Sequence, residues 1–170
     1  MRNKRTYSIV VGGIIIALAV LSIVMLRSRS KTIIDEIATK DVARLQVIFN
    51  DINQSAQILS FDRQKNPIDF LTVKSFVGSE VGPMNLAYPK RWQGPYLPDN
   101  LDIKGIYYQV VVTDNGHFIT PGDGVTLSDG KIVGKDIPLD KSANVQSLIK
   151  TGVLKDERGK ALAASINVRG

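Results

Sequence analysis

The sequence predicts an α+β protein in which a long N-terminal helix precedes a small antiparallel β-sheet domain. Three observations support this prediction: an uncharged run over 7–26, an amphipathic stretch without Pro or Gly over 33–59, and β-favouring segments separated by glycine turns over 106–133. The segments we expect in chain order are a basic tail (1–6), a transmembrane helix (7–26), an amphipathic stalk helix (27–60) and a globular domain (61–170).

The run from Tyr7 to Leu26 contains twenty uncharged residues. As a helix rising 1.5 Å per residue, a run of this length crosses roughly 30 Å of hydrocarbon. A cleaved signal peptide has a shorter apolar stretch, and cutting after Ala17-Leu18-Ala19 would leave apolar residues on the new terminus. A core helix apolar on every face would need a larger domain. The pattern therefore favours an uncleaved membrane anchor.

The charges of the chain also favour a membrane. Residues 1–31 hold six basic residues and no acidic one, so 16 basic and 16 acidic residues remain in 32–170. The net charge of +6 thus flanks the apolar run, where Lys and Arg contact lipid head groups. No basic stripe remains for a phosphate backbone, which argues against nucleic-acid binding.

Orientation is less strongly encoded, because basic residues lie on both sides of the run. A long C-terminal domain can be exported regardless of such charges, so we expect a cytoplasmic N-terminus and an extracytoplasmic domain. The absence of cysteine excludes disulfides, thiol catalysis and cysteine-based zinc sites.

The stalk carries one apolar stripe with helical spacing. Its members are Ile34, Ala38, Val42, Leu45, Phe49, Ile52, Ala56 and Leu59. Steps of three and four residues place these side chains on one face of a helix, which we call the seam. The other face is predicted to hold Asp35, Glu36, Lys40, Asp41, Arg44, Asp51 and Gln54. The seam can be covered by the chain's own domain or by partner helices, and both alternatives remain open.

Five of the seven prolines lie between Pro67 and Pro98, so long regular elements cannot persist there. Within this region Trp92, Pro95 and Tyr96 form an aromatic loop around a Gly-Pro turn. We expect the loop to pack onto the core, with the indole N–H and the phenol finding backbone partners. Exposure as a ligand-docking loop is the alternative.

The region 106–133 predicts an antiparallel meander of strands. Ile106 to Thr113 is rich in β-branched and aromatic residues, and Asp-Gly and Asn-Gly turns separate it from the segments His117–Thr120, Val125–Leu127 and Lys131–Val133. Ser142 is expected to cap a helix over 143–154. We expect the tail from Lys160 to Gly170 to be peripheral.

The sequence offers little catalytic chemistry. The one histidine, His117, lies in a predicted strand without a serine or cysteine motif, so it is expected to be a surface residue. Three aspartates that sit beside glycines in loops, Asp114, Asp123 and Asp129, could supply oxygen to calcium, but such residues also build ordinary turns, which we favour. We therefore expect no enzyme, no cofactor and no dedicated metal site.

The order of parts resembles type IV pilins, and among them the pseudopilins of type II secretion. The likeness covers most of residues 7–135 and includes the cluster Trp92, Gly94, Pro95, Tyr96 and Leu97 before the first strand of the meander. The resemblance implies a bacterial inner-membrane protein with a periplasmic domain. Some pseudopilins bind calcium in a late loop, for which Asp123, Asp129 and Asp136 would be the counterparts here.

The sequence departs from this family at the N-terminus. Gly12-Gly13 lead into Ile14 to Leu18 instead of the usual cleavage site, and the span contains no glutamate to align subunits. The departures favour a pilin-like subunit that stays in the membrane.

Two functions are therefore compatible with the sequence. The first is a non-enzymatic structural subunit of a pilin-like or secretion assembly, whose partners are the bilayer and other subunits, including further copies of itself. The alternative is a membrane-tethered binding module that engages a ligand or a protein through Trp92–Tyr96.

Overall fold

The computed structural model describes the backbone of residues 2–168, and the side chains of 13–22 and 33–168. The chain is an α+β protein. Helix α1 (Arg2–Ser55) packs its C-terminal part, 33–55, against antiparallel sheets, an order of parts compatible with a pilin-like layout. The predicted apolar run over 7–26 lies partly outside the residues whose side chains are described.

Helix α1 ends five residues before the predicted boundary at 60. Gln57 has a φ of 55°, which ends the helical conformation, and the Asn53 side chain accepts a hydrogen bond from the Ile58 backbone N–H at 3.0 Å. Leu59, predicted as the last member of the seam, consequently lies in strand β1 (Ile58–Phe61).

The domain contains short strands and one short helix. The remaining elements are β2 (Lys65–Pro67), β3 (Glu80–Val81), β4 (Met84–Leu86), β5 (Asp102–Ile103), β6 (Ile106–Tyr107), β7 (Gln109–Thr113), β8 (Gly116–Thr120), α2 (Val145–Lys150) and β9 (Ala164–Ile166). The pairings are antiparallel and form sheets in the orders β1-β4-β3, β2-β7-β8-β9 and β5-β6. Single turns of 3₁₀ helix lie at Phe70–Thr72 and Pro89–Arg91.

The predicted meander is correct only for its first hairpin. Strands β7 and β8 pair across the Asp114-Asn115 turn as expected, and Ile106–Tyr107 pairs with β5 rather than extending β7. Beyond β8, Thr126 and Ile132 form an isolated bridge that joins no sheet. Strands β2 and β9 take the outer positions of the four-stranded sheet. The sequence did not predict these two strands, because local periodicity does not encode pairing between segments far apart in the chain.

The C-terminal region differs from its prediction in two ways. Helix α2 covers six residues instead of the twelve over 143–154, and its cap is Asn144, whose side chain accepts from the Ser147 N–H at 2.9 Å. Ser142 instead donates its hydroxyl to Asp140. The tail is not peripheral, since β9 pairs with β8 and Leu162 and Ala163 are buried.

A single apolar core joins α1 to the sheets. Phe49 of α1 lies 6.2 Å from the Phe61 ring and 6.3 Å from the Phe70 ring, measured between centroids. Separations of this size with tilted rings are favourable aromatic geometry. Phe118 and Ile119 of β8 belong to the same core. The domain is thereby fixed on one face of the helix.

Candidate functional site

The seam of α1 is buried by the chain's own domain. The fully or almost fully buried members are Ala38, Val42, Leu45, Phe49, Ile52 and Ala56, and Ile34 is partly buried against the same core. The sequence left open whether the seam is covered by the chain's own domain or by partner helices, and in the structure the domain covers it. While the domain is packed in this way, these side chains are not available to a partner helix.

The outer face of α1 also differs from the predicted polar face. Ile33, Ile37 and Val47 are exposed there beside Lys40 and Arg44. Spacings of three and four residues align these positions along one ridge, which we call the outer ridge. Three exposed aliphatic side chains on a ridge of this kind can take part in contacts with another protein.

Two acidic residues assigned to the polar face turn towards the domain. Asp35 is 2% exposed, and its carboxylate accepts from the Ser128 backbone N–H at 3.0 Å and from the Ser128 hydroxyl. Asp41 accepts from the hydroxyl of the buried Tyr108 at 2.8 Å. Both bonds join α1 to segments more than sixty residues away in sequence, and no periodicity of the helix could have revealed them.

The aromatic loop packs onto the domain. The Trp92 indole N–H donates to the Val73 carbonyl at 3.1 Å, and the Tyr96 N–H donates to the Leu71 carbonyl at 2.8 Å. The Tyr96 hydroxyl accepts from the Gln93 N–H, and the two rings lie 4.8 Å apart in an edge-to-face arrangement. Trp92 and Tyr96 are partly buried, whereas Pro95 is exposed. The loop therefore has the packing geometry expected from the sequence.

Gly94 is required for this packing. A Cβ atom at this position would collide with the Trp92 indole and the Val73 carbonyl, the two groups joined by the hydrogen bond. The glycine lets the loop backbone approach the indole closely.

The three aspartates that the pilin resemblance matched to a calcium loop are engaged in local structure. Asp123 pairs with the Lys65 ammonium at 2.5 Å and accepts from the Gln109 amide at 2.9 Å. Asp136 accepts from the Ile132 N–H at 2.9 Å. Burial disfavours ionisation of Asp129, but hydrogen bonds and charge from Lys131 outweigh it and lower the pKa of this carboxyl. Among the residues whose side chains are described, no three His, Cys, Asp or Glu side chains are grouped to hold a metal ion.

His117 is half-buried rather than fully exposed. It faces Val112 and Ile166 across the sheet, and its ring centroid lies 5.8 Å from that of Phe61. Burial lowers the pKa of the imidazole, so the ring is neutral near pH 7. No described side chain hydrogen bonds to it, and the geometry offers a packing role.

An open concavity lies between α1, α2 and β9, and we call it the groove. It has a volume of about 600 Å³. Small residues of the segment before and within β9 line one wall, and side chains of α1 and α2 line the rest, with Lys40 and Lys160 among the lining residues. Neither the sequence periodicity nor a motif indicated it, because its two walls come from opposite ends of the chain.

The described part of the N-terminal run is exposed throughout. In 13–22 the large side chains Ile14, Ile15, Ile16, Leu18, Val20 and Leu21 each have more than half of their surface accessible. In the stretches with described side chains, 13–22 and 33–168, no helix meets the length and apolarity required of a membrane span.

Comparisons of the chain with models of protein families, with curated proteins and with solved structures gave no match.

Proposed function

We propose that this chain is a non-enzymatic, single-pass membrane subunit of a pilin-like or secretion assembly, with an extracytoplasmic domain. The observation that carries the proposal is the exposure of six large aliphatic side chains within 13–22, on a helix whose later part is anchored in a domain. In water such a surface is unfavourable at about 25 cal/mol per Å². Lipid or other apolar helices would cover it.

The structural role is supported by how α1 is used. Its seam holds the chain's own domain, and its outer ridge keeps Ile33, Ile37 and Val47 accessible to neighbours. A helix with one face occupied and another free can join a domain to an assembly without any catalytic group. Other membrane or envelope subunits, including further copies of the chain, are the partners that this arrangement favours.

Extraction from membranes tests the anchor. Vesicles containing the full chain are washed with alkaline carbonate, which removes peripheral proteins and leaves spanning ones. We expect the chain to stay in the pellet. A reporter enzyme that is active only outside the cytoplasm should be active when it is fused after Leu26 or at the C-terminus. Release of the intact chain by carbonate would contradict the proposal.

Disulfide crosslinking tests the assembly role, because the chain has no cysteine of its own. Val47→Cys and Ile37→Cys should form crosslinked species in native membranes, since both positions lie on the outer ridge. Leu45→Cys is the matched control, because this residue is buried beneath the domain. Crosslinking through Leu45, or none through the outer ridge, would contradict the arrangement.

The alternative function is a membrane-tethered binding module. The sequence suggested the aromatic loop as its binding site, whereas the structure favours the groove. The aromatic loop is committed to packing, whereas the groove is open. Binding through the groove is compatible with a structural role and is developed below.

A further inference from the structure

The groove runs beside an edge strand. In the four-stranded sheet β9 pairs on one side with β8 and is the last strand in the order β2-β7-β8-β9. Ala164 and Ser165 of β9 line the groove together with Ala161 and Ala163, while α1 forms the opposite wall. An edge strand presents backbone donors and acceptors to whatever lies beside it.

A side chain already occupies one backbone acceptor of this strand. The Gln46 amide of α1 donates to the Ser165 carbonyl at 3.0 Å. Gln46 is itself a groove-lining residue, and its contact is a single hydrogen bond. The N–H of an incoming peptide could take over this acceptor at little net change in free energy, because one hydrogen bond would replace another.

The small residues of the wall permit such an approach. Alanine and serine at 161 and 163–165 leave space for a second backbone to come near the strand, which a wall of large side chains would prevent. A groove of about 600 Å³ is within the size range of ordinary binding clefts.

The charges at the rim of the groove favour a partner with negative charge. Glu36 lies among three cations: Lys40 at 3.0 Å, Arg158 at 3.7 Å, and Lys160, which also helps to lower the pKa of this carboxyl. Lys40 and Lys160 border the groove directly, and no acidic residue is among the described side chains that line it, so the groove itself carries positive charge. Complementary charge on a partner would favour its encounter with this site.

We propose that the groove binds an extended, acid-containing segment of another protein, which displaces the Gln46 amide and adds as a strand along the edge of β9 that no other strand occupies. In this mode main-chain hydrogen bonds supply affinity and the side-chain environment supplies specificity. The site lies on the domain, so the proposal goes beyond the membrane anchor and does not depend on how the N-terminal part of α1 is covered.

Peptide selection tests the proposal. A random peptide library displayed on phage is panned on the purified full chain in detergent and, in parallel, on Ala43→Trp, whose indole would fill the groove from α1. We expect acid-containing peptides that are enriched on the native chain and lost on Ala43→Trp. Ile33→Trp is the matched control, since it places the same ring at an exposed position of the outer ridge that does not line the groove and should retain the peptides.

The charge contribution is tested at exposed positions that the fold does not need. Lys40→Glu combined with Lys160→Glu should weaken binding of the enriched peptides by about tenfold, the size expected for reversing two rim charges. Peptides enriched equally on the native chain and Ala43→Trp, no enrichment at all, or a preference for basic peptides would each overturn the proposal.

Hydrogen exchange distinguishes strand addition from other modes. A bound peptide should slow amide exchange within 164–166 and should leave the exchange of α1 unchanged. Unchanged exchange in β9 despite binding would overturn strand addition. Enriched peptides that match a segment of this chain, together with concentration-dependent dimers, would replace the proposed partner with a second copy.

Discussion

Tyr108 is the bulkiest of the fully buried side chains in the described part of the chain, and its hydroxyl donates to Asp41 of α1. Burial, followed by the hydrogen bond and charge of Asp41, raises the pKa of the phenol. The neutral form is therefore the one compatible with the fold. This pair joins the sheet to the helix through a single donor and a single acceptor.

Replacing Tyr108 with Phe keeps the ring and removes the donor. We expect the free energy of unfolding to fall by about 0.5–1.5 kcal/mol near pH 7, the usual net worth of an intramolecular hydrogen bond. Urea denaturation of the full chain in detergent, followed by Trp92 fluorescence, measures it. A variant as stable as the native chain would contradict the role of the bond.

The same residue predicts a pH dependence. The unfolded phenol ionises near pH 10, whereas the folded pKa is higher, so above pH 10 the unfolded state has fewer bound protons. The contribution of Tyr108 is complete below pH 10 and declines by about 1.4 kcal/mol per pH unit above it. Tyr108→Phe lacks this term, so the difference between the two stability profiles isolates it.

Asp35 provides a second link between α1 and the domain, through the Ser128 backbone and hydroxyl. Asp35→Ala removes the buried acceptor of both Ser128 donors, which lie in a partly buried site, and we expect a loss of about 1–3 kcal/mol in unfolding free energy. Glu36→Ala is the matched control, since its ion pairs are exposed and such pairs contribute little. Equal effects of the two substitutions would argue against a special role for Asp35.

At the scale of elements, α1 is divided between an inner face that belongs to the core and an outer ridge that does not. Leu45 has no exposed surface, whereas Val47, two residues later, is 59% exposed. The periodicity that predicted the seam thus identified the inner face, and the covering elements are the sheets of the same chain. This burial, more than intrinsic helix propensity, stabilises the part of α1 after residue 33.

Alanine substitutions measure this division. Leu45→Ala should lower the free energy of unfolding by about 2–5 kcal/mol, because it removes buried methylene groups and leaves a cavity. Val47→Ala should change it by less than about 0.5 kcal/mol, as is usual at exposed positions. Thermal unfolding of both variants in the same detergent provides the comparison. Similar values would mean that the domain does not cover the seam in solution.

At the scale of the whole molecule, the exposed aliphatic segment over 13–22 favours apolar surroundings, whereas the domain favours water. The segment shows large apolar side chains on all sides, while the part after 31 has balanced charge. Apolar surface and a formally neutral domain within one chain suit a boundary between lipid and water.

Charge introduced into the N-terminal segment tests this assignment. Lysine at the centre of a spanning helix costs about 2.5–3.5 kcal/mol, so Ile15→Lys combined with Leu18→Lys should move a large share of the chain to the soluble fraction. Ile33→Lys combined with Ile37→Lys is the control, because it adds the same charge beyond the predicted span. Identical fractionation of both variants by centrifugation would contradict a membrane anchor.

The sequence by itself determined the α+β class, the inner face of α1, the β7–β8 hairpin and the packing of the aromatic loop. These features depend on periodicity and turn chemistry within a few residues, and such patterns are readable locally. The extent of α2 was overestimated, because a short apolar pattern does not set where a helix begins and ends.

Only the tertiary structure decided which strands flank the hairpin, where Asp35 and Asp41 point, and that a groove opens between α1 and β9. The physical reason is that each depends on contacts between residues far apart in the chain. Gln46 and Ser165, for example, meet only after the C-terminal strand has joined the sheet. A pattern within a few residues does not specify such a contact, so the sequence alone could not predict which distant segments pair.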